Sequence, residues 1–377
     1  MLACHDLYRI FQHHELTYFC GVPDSTFKDW LNFLDDRHGE GLTNRIVTIE
    51  RDAVGWAAGY HTATGKTGVV YLQNSGLGNI VNPVTSLLDA AIYNIPALLM
   101  VGWRGQPDQP DEPQHKKMGT ITQELLQMLD IRYSILPDSL HDAERIIAEA
   151  NEYMTTTRQP YALIIQKKTF EKYTKQKKTQ KPYDMTREDA LKILLDTVHE
   201  EDIVIATTGK TSREVFEHRE AAAFGHQNDF LMVGSMGLAS SFAAEIALQK
   251  PDQKVYILDG DGALLMNAGV LSTIGYYAPS NLFHIVIDNR AYDSTGGQPT
   301  TSSVVDFVRM ALANNYKEAV AVSSAGELRD ALGSLQYQTG ASMLVIDVNS
   351  GARPDLGRPT TSPIENKLAF MNQWKEQ

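Results

Sequence analysis

The feature that most constrains this chain is a regular alternation of short apolar, β-branched runs with amphipathic helical ones. "HDLYRIFQHHE", "TYFCGV", "TFKDWLNFLDD", "RIVTIE", "DAVGWAAGYHTATG", "TGVVYLQ", "IVNPVTSLLDAAIYN" and "PALLMVGW" follow one another in the first part of the sequence. Strand-like runs divided by helices predict a parallel sheet covered on both faces, because successive parallel strands need a crossover and the usual crossover is a helix. A second series opens near Asp202 with "DIVIATTG" and continues through "FLMVGS", "SSFAAEIALQ", "KVYILDG", "LFHIVIDN", "AVAVSS" and "SMLVIDVN". The expected fold is α/β, with two doubly wound parallel-sheet domains and no middle domain, and 377 residues suit two cores of ordinary size. The lysine-rich stretch "QKKTFEKYTKQKKTQKPYDMT" separates the two series. It places the domains at 1–168 and 186–377 with a linker at 169–185.

Charge and cysteine content narrow the function classes. A net charge of -12 argues against non-specific contact with nucleic acid or anionic lipid, so an anionic ligand must be met by local cations and N–H groups. No 18-residue apolar run and no secretory signal is present, so a cytoplasmic protein without a membrane span is expected. Two cysteines, Cys4 and Cys20, are too few for a disulfide framework or a Cys-rich metal site and are expected to be core thiols.

In open α/β sheets ligands bind beyond the carboxyl ends of the strands, so the residues that end each strand are the ones to collect. They are Glu50 after "RIVTI", Gln73 to Ser75 in "YLQNSGLGN", Gly209 in "ATTGK", Gly234 to Met236 in "VGSMG", Asp261 in "DGDG" and Asn289 in "IDNRAY". "DGDGA" is not an EF-hand, because Ala263 and Leu264 replace an oxygen ligand and the turn glycine, and Val270 stands where a bidentate glutamate is needed. "ATTGKTS" is not a Walker loop, because Val204 stands where that loop needs glycine. What remains is a strand, a glycine turn with one carboxylate, a helix expected to start at Ala263, and a second strand ending on an amide. Alone, Asp-Gly-Asp-Gly would be read as a tight βα turn. Asn289 follows Asp261 after one helix and one strand, so both side chains can reach neighbouring strand ends. There they offer hard oxygens to Mg²⁺ beside N–H groups for phosphate.

Gly260-Asp261-Gly262 followed by Asn289 resembles the fingerprint of the thiamine-diphosphate-dependent enzymes. The resemblance implies that thiamine diphosphate is held by Gly209, Thr211, Gly260, Asp261, Gly262, Ala263 and Asn289, with Mg²⁺ on Asp261, Asn289 and Ala291. It implies that Glu50 hydrogen-bonds N1′ of the aminopyrimidine, and that Gly234 and Met236 hold the cofactor bent. Without that motif, Glu50 would be read as complementing a helix dipole and Met236 as core filling. The domain order resembles the two-domain decarboxylases of phosphonopyruvate and sulfopyruvate over nearly the whole chain. "CGVPDSTFKDWLNFL", "PQHKKMGTIT" and "NRAYDSTGGQPT" resemble the phosphonopyruvate members in particular.

The implied activity is decarboxylation of 3-phosphonopyruvate to phosphonoacetaldehyde and CO₂, a step of phosphonate biosynthesis, in a homo-oligomer with active sites between subunits. A sulfopyruvate decarboxylase and a non-catalytic subunit of the same fold stand as alternatives. His115 in "PQHKKMG" and Asp24 in "GVPDS" match regions that border the substrate in related decarboxylases and are candidate proton donors beside Glu50. Those relatives often carry a His-His pair where this chain has only His115. Ser75, Lys117 and Arg290 are the candidates to read the two anionic ends of the substrate, with Lys116, Arg104, Arg353 and Arg358 competing. A plain surface or turn role is the alternative for each.

Overall fold

The β-branched runs form strands and the amphipathic runs cover them in a computed structural model that describes residues 1–176, 182–335 and 340–374. The chain divides into two units, Met1–Lys178 and Thr179–Gln377. Residues 177–181 of the linker expected at 169–185 lie outside the described residues.

The first unit contains strands β1 (Tyr18–Gly21), β2 (Thr43–Ile46), β3 (Gly68–Gln73), β4 (Ala97–Gly102), β5 (Arg132–Ile135) and β6 (Tyr161–Ile165). Its helices are α1 (Cys4–His13), α2 (Lys28–Asp36), α3 (Glu50–Thr64), α4 (Leu77–Pro83), α5 (Lys116–Met128) and α6 (Leu140–Thr157). In the second unit the strands are β7 (Ile203–Ala206), β8 (Asp229–Leu231), β9 (Val255–Gly260), β10 (Leu282–Asp288), β11 (Ala291–Tyr292), β12 (Gln298–Pro299), β13 (Glu318–Val322) and β14 (Ser342–Asp347). The helices there are α7 (Arg187–Leu195), α8 (Lys210–Ala221), α9 (Ala239–Gln249), α10 (Asp261–Met266), α11 (Val270–Tyr277), α12 (Phe307–Ala313), α13 (Ala325–Leu335) and α14 (Pro363–Asn372).

The first sheet runs β2-β1-β3-β4-β6-β5 and the second β13-β14-β10-β9-β7-β8, with every neighbouring pair parallel. Setting aside the small antiparallel hairpin of β11 and β12, the two units therefore share one strand order. In each the order reverses beside the first strand, so the ligand crevice falls at the carboxyl ends of β1 and β3 in one unit and of β7 and β9 in the other.

Burial follows the parallel-sheet expectation: β4 and β10 are buried along their whole length, since helices cover both faces. Ile203 and Ile205 pack on one face of the second sheet while Val204 and Ala206 pack on the other. The first core is built around Trp30, against which Phe11, Phe19, Phe33 and Phe170 pack. Cys4 and Cys20 are free, buried thiols, both pushed up to about 12 by burial. No described helix is long and apolar enough to cross a membrane.

Three local expectations are corrected. The run "IVNPVTSLLDAAIYN" is α4 only to Pro83; a π-helical turn, Val84–Leu88, follows, and the segment ends in a turn before β4. Pro83 removes one helical N–H donor, which weakens continuation of the helix. Glu50 does not end a strand, because β2 stops at Ile46 and Glu50 is the first residue of α3. The helix after the second glycine turn begins at Asp261 rather than Ala263. At the lysine-rich stretch, the main-chain N–H groups of Tyr173 and Gln176 donate to Asp29 and Asp36, and Lys175 pairs with Asp35 at 2.7 Å, so residues up to 176 lie against α2.

Candidate functional site

Each unit gathers polar side chains at the switch point of its sheet. In the first, Asp24 follows β1 and is fully buried. Its Oδ1 accepts the Thr26 main-chain N–H at 2.8 Å and its Oδ2 accepts Gln73 Nε2, from the end of β3, at 2.5 Å. A Cβ on Gly102, the last residue of β4, would strike the Asp24 carboxylate, so glycine there is what lets the carboxylate sit at the strand ends. Ser75 is exposed and donates to Gln73 Oε1 at 2.7 Å. Asn74 is buried and pins the exit of β4, donating to the Arg104 carbonyl at 2.7 Å and to Thr122 Oγ1 at 2.9 Å.

Arg104 leaves β4 and grips Asp111 from Nε at 2.9 Å and Nη2 at 2.6 Å, while its Nη1 donates to Ser25 Oγ at 2.8 Å. Burial opposes the charge of Asp111, yet Arg104, the N–H groups of Gly105 and Glu112, and Lys167 together hold its carboxyl well below the usual range. His115 closes this loop, buried with Nδ1 lacking a hydrogen-bond partner among the described residues. Burial and the positive charge of Arg104 lower its pKa, disfavouring the charged imidazolium. Lys117 lies two residues on, exposed on α5.

Glu50 is 5% exposed, and its Oε2 accepts Asn79 Nδ2 at 2.7 Å. Gly76 presses on the same carboxylate, and a Cβ there would lie 2.5 Å from Oε1. The carboxyl group is thus held at the start of α3 by an amide and a glycine, in a pocket that no larger residue at 76 would leave open.

The second unit carries the other expected residues. Gly209 takes φ 104°, a conformation open to glycine, and turns β7 into α8; a Cβ there or on Gly260 would meet nothing within 4 Å. Both glycines therefore leave the strand ends bare on the side of the crevice. Thr211 is buried in the first turn of α8. Gly234 and Gly237, both with positive φ, bracket Met236, and the Gly234 N–H donates to Thr208 Oγ1 at 2.9 Å, tying this loop to the end of β7. A Cβ on Gly262 would come within 2.9 Å of the Tyr292 ring, so the turn after β9 packs closely under the loop that follows β10.

Register places Gly260 beside Ile287, so Asp261 lies level with Asp288 and Asn289 follows one residue beyond. Asp261 and Asp288 are 3% and 4% exposed. Thr300 Oγ1 donates to Asp261 Oδ2 at 2.5 Å and stands 3.0 Å from Ser302 Oγ, which donates to Asp288 Oδ1 at 2.8 Å. Burial first, and then the charge of Asp288, push the Asp261 carboxyl up to about 7; burial also raises Asp288. Asn289 Nδ2 donates to Asp293 Oδ2 at 2.8 Å while its Oδ1 accepts the Ala291 N–H at 3.0 Å. Arg290 takes φ 57° and leans away, onto Asp347 at 3.2 Å and the Tyr183 ring. Arg353, another competitor, is held by Glu188, Glu217 and Asp355.

The structure thus brings Asp24 and His115 to one network and Glu50 near the Gln73–Ser75 corner, and it gathers Gly260, Asp261, Gly262, Asn289 and Ala291 at the ends of β9 and β10. It leaves Lys117 on the surface and commits Arg290 to Asp347. Sequence reasoning did not find Asp288, Thr300, Ser302 or Asp293. Asp288 stands directly before Asn289 and was visible as a strand end, whereas Thr300 and Ser302 carry no signal until the β11–β12 hairpin folds them back. Among the described residues no cluster of three His, Cys, Asp or Glu side chains is suited to a metal ion. A carboxylate, an amide oxygen and a main-chain carbonyl nevertheless suit a hard divalent cation that takes its remaining oxygens from a phosphate.

Comparison with known proteins gives the same division. Residues 1–130 match the thiamine pyrophosphate enzyme N-terminal TPP-binding domain, and residues 207–348 match the C-terminal TPP-binding domain. A phosphonopyruvate decarboxylase of Streptomyces viridochromogenes is 35% identical over 371 residues, covering 94% of this chain and 90% of that one. One from Streptomyces hygroscopicus shows the same identity and coverage. A sulfopyruvate decarboxylase of Methanosarcina acetivorans is 30% identical over 279 residues, covering 67% of this chain and 68% of that one. With its two TPP-binding domains and this likeness along nearly its whole length, the chain belongs to the thiamine pyrophosphate enzyme family, among the relatives of the phosphonopyruvate decarboxylases.

Proposed function

We propose that this protein decarboxylates 3-phosphonopyruvate to phosphonoacetaldehyde and CO₂, using thiamine diphosphate and Mg²⁺. The observation that carries the reading is the extent of the likeness: 35% identity over 94% of the chain to phosphonopyruvate decarboxylases, against 30% over 67% to the sulfopyruvate enzyme.

The residues present fit the cofactor and its metal. Asp261 and Asp288 form a buried acidic pair whose charge is disfavoured by burial and mutual repulsion, with hydroxyl groups as the donors between them. A divalent cation on Asp261, Asn289 and the Ala291 carbonyl would supply the positive charge this corner lacks. Gly209, Thr211, Gly260, Gly262 and Ala263 would meet the diphosphate, where Gly209 and Gly260 leave open space. Gly234 and Met236 would support the middle of the cofactor, and Glu50 would hold a proton at N1′ of its pyrimidine.

When bound, thiamine diphosphate supplies the electron sink for the pair released as CO₂ departs. The chain's own part is to orient the 2-oxo acid, exclude water and deliver a proton to the carbon that loses CO₂. Asp24 and His115 are the proposed donors. Both are buried, Asp24 just beyond β1 and His115 at the start of α5, where water is excluded from the group that would hold the proton. Ser75, exposed just beyond β3, Lys117, exposed on α5, and Arg290 are the proposed readers of the substrate's carboxylate and phosphonate. Glu50 and Asp261 belong to different units, and we assign the active form to a homo-oligomer with sites between subunits.

The test is aldehyde formation from phosphonopyruvate, sulfopyruvate and pyruvate, followed by coupled NADH oxidation with thiamine diphosphate and Mg²⁺ present. Turnover of phosphonopyruvate well above the other two is expected. A preference for sulfopyruvate would keep the chemistry and replace the anion-reading assignment, and no turnover of any of the three would refute the proposed activity.

A further inference from the structure

We propose that Asp293 is a positioning residue that fixes the amide of Asn289 with its oxygen toward the cation, and that Arg187 holds Asp293 for that purpose. This rests on the thiamine diphosphate and Mg²⁺ reading above.

Asn289 is useful to a cation only through Oδ1, yet an amide has two ends of nearly equal shape, and something must choose between them. Asp293 makes that choice on the nitrogen side, while the Ala291 N–H donates to Oδ1 at 3.0 Å. Its carboxylate can only accept, so the Asn289 Nδ2 that donates to its Oδ2 at 2.8 Å is turned to Asp293 and Oδ1 faces the other way. Asp293 is itself held from two further sides. The Gly351 N–H, beyond β14, donates to both of its oxygens at 3.0 Å, and Arg187 Nη1 donates to its Oδ2 at 2.8 Å.

Arg187 has little freedom to do otherwise. It is the first residue of α7, its side chain is 6% exposed, and Nε and Nη2 grip Glu214 of α8 at 2.7 and 2.8 Å. One guanidinium therefore joins α7, the first turns of α8 and the loop after β10. Glu214 lies one turn beyond Thr211, so the clamp spans the two segments expected to meet the cofactor's diphosphate end. Partners that lie outside a metal's own ligands commonly change its affinity by 10- to 100-fold, and Asp293 stands in that relation to Asn289.

The charge pattern supplies a test with a sign. Deleting the Asp293 carboxylate leaves Arg187 and Glu214 as a neutral bidentate pair and leaves only the Ala291 N–H to hold the Asn289 amide. If residue 289 is instead aspartate, it has no wrong end to present, but in the native surroundings it would face Asp293 as a like charge. Removing Asp293 should then help rather than harm.

Mg²⁺ would be titrated calorimetrically into the full chain with thiamine diphosphate in excess, for wild type, Asp293→Ala, Asp293→Asn, Asn289→Asp, and Asn289→Asp combined with each change at 293. Unfolding temperatures without Mg²⁺ accompany each titration. Asp293→Ala is expected to raise the Mg²⁺ Kd about 10- to 100-fold. Asp293→Asn, whose amide oxygen still accepts from Arg187 and Asn289, is expected within about threefold of wild type. In the Asn289→Asp background, Asp293→Ala is expected to tighten binding. An Asp293→Ala Kd within about twofold of wild type, or equal weakening in both backgrounds, would overturn the assignment. If Asp293→Ala does not fold, Asn289→Asp against Asn289→Asp with Asp293→Asn asks the same question of charge relief. A wild-type chain that takes up no Mg²⁺ with thiamine diphosphate would overturn the cofactor reading itself, and this assignment with it.

Discussion

The two units share a strand order and bury carboxylates at the same corner of the sheet, but they satisfy those carboxylates in opposite ways. In the first, Asp24 and Glu50 each accept from a neutral amide, Gln73 or Asn79, and the nearby charge of Arg104 is spent on Asp111. In the second, Asp261 and Asp288 are set against each other with the hydroxyls of Thr300 and Ser302 between them. Fixed amide dipoles suit carboxyl groups that must place protons, whereas a buried like-charged pair is stable as a dianion only when a cation joins it. One topology thus holds two kinds of carboxylate surroundings, and the difference lies in the residues at and just beyond the strand ends.

The sharpest way to break that comparison is Glu50→Gln. Turnover should fall about 10³-fold while the affinities for thiamine diphosphate and Mg²⁺ stay near wild type, because the change removes a proton-holding group and keeps its shape. Loss of cofactor binding in this variant would mean that the first unit is not specialised for protons. Asp261→Ala should do the reverse, weakening Mg²⁺-dependent cofactor binding by about 10²-fold or more in equilibrium dialysis, since it deletes a metal ligand outright.

The smallest effect expected is on pH dependence, and it carries opposite signs in the two units. Asp261 binds its proton more tightly when folded, up to about 7 from an ordinary 3.8, so without Mg²⁺ the unfolded chain holds fewer protons in that window and stability falls as pH rises through it. His115 is lowered from its ordinary 6.5, so the unfolded chain holds more protons there and stability falls as pH drops through that range. Lowering the pH from 7 to about 5 should therefore disfavour the first unit and favour the second, the latter by on the order of 1 kcal/mol. Amide hydrogen exchange in β3 and β9, compared at the two pH values, reads each unit separately; parallel changes in both would contradict the contrast.

Much of this was legible because a βα repeat advertises itself. Apolar runs such as "LFHIVIDN" name both a strand and the residues that end it, and strand ends are where such sheets bind ligands. Asp261, Asn289 and Glu50 are singled out that way, whereas Asp24 is named from the resemblance of "GVPDS" to related decarboxylases. Glu50 reads as a strand end although it starts α3, because Val47, Thr48 and Ile49 continue the β-branched run past β2 before the chain bends into the helix. Arg290 and Lys117 are named by charge and position, which do not specify side-chain direction; Arg290 pairs with Asp347 and Lys117 is exposed on α5.

The sequence by itself determined most of the strands, their parallel direction within two α/β units and the acidic and amide residues at their ends, since these depend on local period and short-range spacing, whereas β5, β6 and the strand order emerged only in the fold. Only the tertiary structure decided which groups answer those residues. Thr300 reaches Asp261 across a hairpin, Arg187 reaches Asp293 from a helix over a hundred residues earlier in the chain, and Asn79 reaches Glu50 from another helix. Hydrogen-bond partners far apart in sequence leave no periodic trace, because what brings them together is the closing of the sheet and not the pattern of the chain that forms it.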